Sequence, residues 1–165
     1  MGTMISTPDK ATARDQLLTQ LGEEASTKLR LATVRLTAGL FTGSGVILTT
    51  VIKGDRGVFV VATAAHNLWF YVDSLTGGTS RDFWGGDKGK WSAEVLSSKK
   101  QAIIDLCLAR LNVEYASADM TQPNPTAAVT TATIGRVILA EFQYDLCLLL
   151  IPFPLRARPR CEIVA

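Results

Sequence analysis

His66 closes the run Val-Phe-Val-Val-Ala-Thr-Ala-Ala-His over residues 58–66 and is the one histidine among 165 residues. Imidazole titrates nearest neutral pH of all side chains, so one held at the surface on a rigid element can accept and return a proton during a reaction. A histidine at a strand end can equally serve as a hydrogen-bonded structural group. The neighbouring residues decide between the two. Cys107, Cys147 and Cys161 form neither a Cys-x-x-Cys pair nor an even disulfide set. With a single histidine they do not supply a zinc-ligand set, and no cofactor is implied. Asp105 and Asp145 each open the tetrapeptide Asp-Leu-Cys-Leu, but the residues around the two copies do not repeat, which argues against a repeat architecture.

The element that carries His66 reads as a strand. Residues 43–66 comprise two apolar runs joined by Lys-Gly-Asp-Arg-Gly, a hairpin turn composition. "LATVRLT" over 31–37 alternates apolar and polar side chains, as a half-buried strand does. "WSAEVLSS" (91–98) and "TTATIGRVILAEF" (130–142) read as further strands. Residues 73–91, rich in glycine, serine and aspartate, read as a long surface loop. Residues 8–30 carry leucines at 17, 18 and 21 among charged positions, which predicts a short amphipathic helix lying across the outside of the domain. The expected fold is therefore mainly β, with many short strands and one leading helix, and a small closed or nearly closed barrel is its natural architecture. The chain divides into a helical leader (1–30), a β-barrel (31–155) and a basic, proline-broken tail (156–165).

Composition narrows the function classes. A hydrophobic fraction of 47% suits a globular domain with a real core, and a net charge of +2 with mixed signs provides no footprint for nucleic acid. The longest apolar stretch, Leu146–Leu155, is interrupted by prolines and is about half the roughly twenty residues of a membrane-spanning helix. The first residues lack the apolar core of a secretory signal, and with the cysteine pattern this leads to an expectation of an intracellular, reducing location. Met1-Gly2 with Ser6 fits the short myristoylation pattern.

The order "GSGVIL", hairpin, "VFVVATAAHNL", then an aspartate in "YDLCLLLIP" resembles the first barrel of the chymotrypsin/trypsin-type serine proteases, over about residues 31–155. The most specific part is Thr63-Ala64-Ala65-His66 after a valine-rich strand. The resemblance implies that His66 is the general base of a serine endopeptidase acting on protein or peptide substrates. It also implies that a buried aspartate fixes the histidine tautomer and stabilises the imidazolium. Two aspartates compete for that role. The strand around Asp145 matches the family pattern better and would require an insertion over 73–135, with "KKQAIIDLCLARL" as a helix. Asp105 lies at a separation closer to that of the compact bacterial members. Cys107 and Cys147 take the small apolar place of the motif and are expected to be buried and inert. The secreted members place a cysteine directly after the histidine; here that residue is Asn67.

The family's nucleophile lies in Gly-Asp-Ser-Gly-Gly on a second barrel, and these residues contain no such motif. Ser44 lies upstream of the histidine in a structural strand and Ser80 in a loop, so neither is taken as the nucleophile. The chain alone is therefore expected to be inactive: a His/Asp half whose open face would be covered by a second barrel or a partner chain. The alternative is a degenerate protease fold kept as a protein-binding module. A third possibility, an unrelated barrel, would leave both aspartates out of reach of His66.

Overall fold

A computed structural model describes residues 10–75 and 92–161. The N-terminal helix α1 (Lys10–Ala32) runs directly into β1 (Thr33–Ala38). Strands β2 (Phe41–Lys53) and β3 (Arg56–Thr63) form the expected hairpin, whose turn falls at Gly54 and Asp55; Gly54 sits at φ +67°, a conformation that glycine reaches without steric cost. Helices α2 (His66–Leu75) and α3 (Ala93–Arg110) follow, then β4 (Asn112–Ala118), β5 (Ala127–Thr133), β6 (Arg136–Glu141), β7 (Leu146–Pro154) and the short β8 (Arg158–Pro159).

Among the described residues the eight strands belong to one antiparallel sheet, ordered β5-β4-β1-β2-β3-β7-β6, with β8 also on β4. The two strands at the ends of that order are consecutive in the chain. Only Ile134 and Gly135 separate β5 from β6, and the Gly135 N–H donates to the Leu150 carbonyl at 2.9 Å. One bent run therefore pairs with β4 through its first half and with β7 through its second.

The strands form where the sequence alternates. In β4, Val113, Tyr115 and Ser117 point inward and are buried while their neighbours are half-buried, the period-two pattern of a strand with one face on a core. Phe59 on β3 packs between Tyr115, at 4.8 Å between ring centroids, and Phe153, at 5.8 Å. Leu36, Ile47, Val61, Leu149 and Ile151 fill the remaining core with no exposed surface. Each such side chain contributes roughly 1.5–3 kcal/mol by leaving water. Burial pushes the Tyr115 phenol up to about 12, and its hydroxyl donates to the Ala157 carbonyl at 2.6 Å.

Four expectations from the sequence change. "WSAEVLSS" is not a strand but the start of α3: the Ser92 hydroxyl caps the Val95 N–H, Glu94 sits in the first turn, and Leu96, Ile103 and Cys107 are buried at helical spacings. Residues 73–75 complete α2, and the rest of the expected 73–91 loop lies outside the described residues apart from that turn. Helix α1 does not lie flat on the domain. Leu17, Leu18 and Leu21 are each at least half exposed, and of the whole helix only Ala32 is buried. The tail is not wholly outside the sheet, because Arg158 and Pro159 pair with Ala118 and Ser117. Gly2 and Ser80 lie outside the described residues. Among those described, no helix is long and apolar enough to cross a membrane.

Candidate functional site

Strand β3 ends at Thr63, and Ala64 and Ala65 carry the chain around a tight corner into α2. Asn67 N–H donates to the Ala64 carbonyl at 3.1 Å and Leu68 N–H to the Ala65 carbonyl at 3.0 Å. Larger side chains would not fit well here, since Ala65 is fully buried. His66 is thus the first residue of a helix rather than the last of a strand. Its backbone N–H is one of the free donors that every helix start presents.

Asp145 accepts that donor. The His66 backbone N–H reaches Asp145 Oδ1 at 2.7 Å, and His66 Nδ1 lies 2.6 Å from Asp145 Oδ2. One carboxylate therefore engages both the main chain and the ring of a residue 79 positions earlier. The second contact places the ring proton on Nδ1 whenever the imidazole is neutral, because an ionised carboxylate only accepts. Asp145 sits in the β6–β7 turn at φ 55°, the left-handed region that aspartate tolerates better than most residues. That conformation aims its carboxylate across the neighbouring β7–β3 pair at the start of α2.

The pair is open to solvent. The His66 side chain is 38% exposed and the Asp145 side chain 46%, so the buried carboxylate expected from the sequence is instead an exposed one. An ion pair this accessible is worth about 0–1 kcal/mol, so it cannot by itself hold two segments in register. The imidazole stacks obliquely on Phe70 at 4.9 Å between centroids and meets the Trp69 edge at 6.2 Å. Phe70 is itself 41% exposed, and Trp69 packs inward against Phe142 at 5.2 Å.

Asp105 takes no part. It lies on the exposed side of α3, where it accepts a hydrogen bond from Gln101 Nε2 at 2.8 Å. Cys107 and Cys147 are both fully buried, and burial pushes each thiol up to about 12. Neither is available as a nucleophile at neutral pH.

A further set of contacts was not anticipated. Asn67 Nδ2 donates to Thr63 Oγ1 at 2.8 Å, and the Thr63 hydroxyl donates to the Ser44 carbonyl at 2.7 Å. The signal in the sequence was the polar residue directly after the histidine, but its partners lie on β2 and β3. Ser44 itself is on β2, opposite Arg35 of β1. An open groove of about 1170 Å³ runs past His66, bounded by Thr42–Val46, Ala62–Ala64, Asn67, Glu114 and, at the end of α1, Arg30. Among the described residues no three His, Cys, Asp or Glu side chains converge as metal ligands would.

The arrangement therefore defines a class of site: an accessible imidazole with one nitrogen committed to a carboxylate, standing at the wall of a groove. Comparison with protein-family models, curated proteins and solved structures returned no match.

Proposed function

We propose that the chain is the His/Asp half of a trypsin-like serine endopeptidase, with His66 as general base and Asp145 as the acid that orients it. The reading is carried by one observation, the 2.6 Å contact of Nδ1 with Asp145 Oδ2 on a histidine that follows Thr63-Ala64-Ala65. It is supported by the sheet order. If β5 and β6 count as one bent strand, the path β4-β1-β2-β3-β7 returns to β4 through it, a ring of six strands of the kind a small barrel has. The groove beside the imidazole provides room for an extended peptide.

The chemistry follows from the pair. A serine hydroxyl brought to the free ring edge attacks the peptide carbonyl as its proton passes to Nε2. The imidazolium so formed is stabilised through Nδ1–H by the Asp145 carboxylate. The proton then moves from Nε2 to the departing amine as the C–N bond breaks, and water repeats the sequence to release the acyl group. These 165 residues contain no Gly-Asp-Ser-Gly-Gly, so in this proposal the nucleophile and the oxyanion donors come from a segment or chain other than these residues. A second reading, a protease-fold binding module, is supported by the open groove beside the exposed His66, which has room for a segment of a protein partner.

A fluorophosphonate probe separates the readings. The purified chain is expected to remain unlabelled and to leave unfolded casein intact. In native lysate, the product carrying this chain, or a protein that co-purifies with it, is expected to carry a labelled serine whose labelling is lost on His66→Ala. No His66-dependent label in lysate would favour the binding module. Labelling of the purified chain would overturn the half-site reading.

A further inference from the structure

We infer that Asn67 is a positioning residue: through Thr63 it anchors the first turn of α2 to β2, so that the His66 imidazole keeps the orientation in which Nδ1 meets Asp145. The exposed His66–Asp145 pair is too weak to set that orientation alone, so a second anchor is needed on the inner side of the corner. The structure contains one. Asn67 Nδ2 bonds Thr63 Oγ1 at 2.8 Å, the Thr63 hydroxyl bonds the Ser44 carbonyl at 2.7 Å, and Thr63 is only 7% exposed. The chain of bonds ties the residue after His66 to the last residue of β3, and that residue to Ser44 near the start of β2.

Gly43 completes the anchor. A Cβ placed on Gly43 would lie 3.0 Å from both Cγ and Oδ1 of Asn67 and 3.2 Å from its Nδ2. The carboxamide is therefore seated directly on the β2 backbone and leaves no room for a larger residue at 43. The same distance has a chemical reading. In a disulfide, the Cβ of one half lies about 3 Å from the sulfur of the other, given the S–S length and ordinary bond angles. The Asn67 Cγ therefore stands about where a sulfur at 67 would have to lie to bond a cysteine at 43, with a carboxamide in place of a covalent bond. A hydrogen-bonded anchor works where a disulfide would be reduced.

The catalytic consequence rests on the protease reading above, but the positioning does not, and the two are tested separately. Because His66 is the one histidine in the chain, its ¹⁵N and ¹³C resonances report the tautomer and ring orientation without ambiguity. In the purified chain, at a pH where the ring is neutral, the Nδ1–H tautomer is expected to dominate. Asn67→Ala and Thr63→Val are each expected to raise the other tautomer about tenfold, the factor that roughly one lost hydrogen bond represents. Thr63→Ser keeps the hydroxyl and is expected to retain the parent spectrum. In a Cys161→Ser background, Gly43→Cys with Asn67→Cys is expected to show the parent tautomer when oxidised and the mixed one when reduced. Thermal unfolding of each variant identifies any that do not fold, and the cross-linked pair provides an arm independent of the alanine variants. Parent-like His66 resonances in folded Asn67→Ala, or oxidised and reduced cross-link variants with the same spectrum, would overturn the proposal. Failure of the fluorophosphonate experiment alone would leave it standing.

Discussion

Asp145 grips His66 at two points, the backbone N–H with one carboxylate oxygen and the ring Nδ1 with the other, at 2.7 and 2.6 Å. The first contact caps the start of α2, and the second favours the ring proton on Nδ1. The negative charge also lies at the positive end of a helix dipole, which adds a small favourable term at the surface.

Replacing the acid by its amide isolates the second effect. Asn, like Asp, tolerates the left-handed backbone at 145, so Asp145→Asn is expected to keep the fold and to lower stability by no more than about 1 kcal/mol. Its Nδ2–H₂ can donate to Nδ1, which would move the ring proton to Nε2. The ¹⁵N spectrum of His66 would then report the inverted tautomer, and unchanged nitrogen shifts would contradict the assignment of Asp145 as orienting acid.

Two glycines make opposite predictions. A Cβ on Gly45 would lie 2.6 Å from Val61 Cγ1 and 2.9 Å from the Ala62 carbonyl, so β2 and β3 would have to part beside the site. Gly45→Ala is expected to cost about 1–3 kcal/mol, several degrees in melting temperature for a chain this size. Gly22 sits within α1 with nothing within 4 Å of such a Cβ, and Gly22→Ala is expected to stabilise by up to about 1 kcal/mol. Calorimetry on the pair checks both signs.

The leucines of α1 should contribute little to folding. Leu17, Leu18 and Leu21 are 54%, 54% and 50% exposed, so changing any one to glutamine is expected to shift stability by less than about 0.5 kcal/mol. Leu36→Ala, in the closed core, is expected to cost about 2–5 kcal/mol. Urea midpoints that fall comparably for both classes would contradict the placement of α1.

Burial of Cys107 and Cys147, aggravated for Cys107 by the charge that Cys147 would carry, pushes both thiols from 9.0 up to about 12. At pH 8 roughly one such thiol in ten thousand is ionised, so iodoacetamide is expected to react with half-buried Cys161 in the native protein and with all three cysteines in denaturant. The same shifts set an alkaline limit. Between about pH 9 and 12 the unfolded chain has released protons that the folded chain retains, so stability falls as pH rises through that window. Base titration followed by fluorescence is expected to show unfolding there. Cys107→Ala with Cys147→Ala should flatten the slope.

Much of the frame was legible from local pattern. Gly54-Asp55 between two apolar runs announced the β2–β3 hairpin, the alternation of residues 31–37 announced β1, and the leucines among charged residues announced α1. His66 stood out as the one imidazole after a valine-rich strand. What local pattern could not decide was the fate of the two Asp-Leu-Cys-Leu copies. Four residues are too few to distinguish a period of 3.6 from a period of 2, and Cys107 and Cys147 end equally buried, one on a helix and one on a strand. The spacing of Leu96, Ile103 and Cys107 around a capped start made the first copy helical and turned Asp105 outward. The pairing of β7 with β3 brought the second copy, 79 residues from His66, to the start of α2. The choice between the aspartates, and the seat of Asn67 on Gly43, are contacts between segments far apart in the chain. Only the pairing of strands distant in the chain brings them together, because the burial that drives it is shared by the whole core and written in no single stretch.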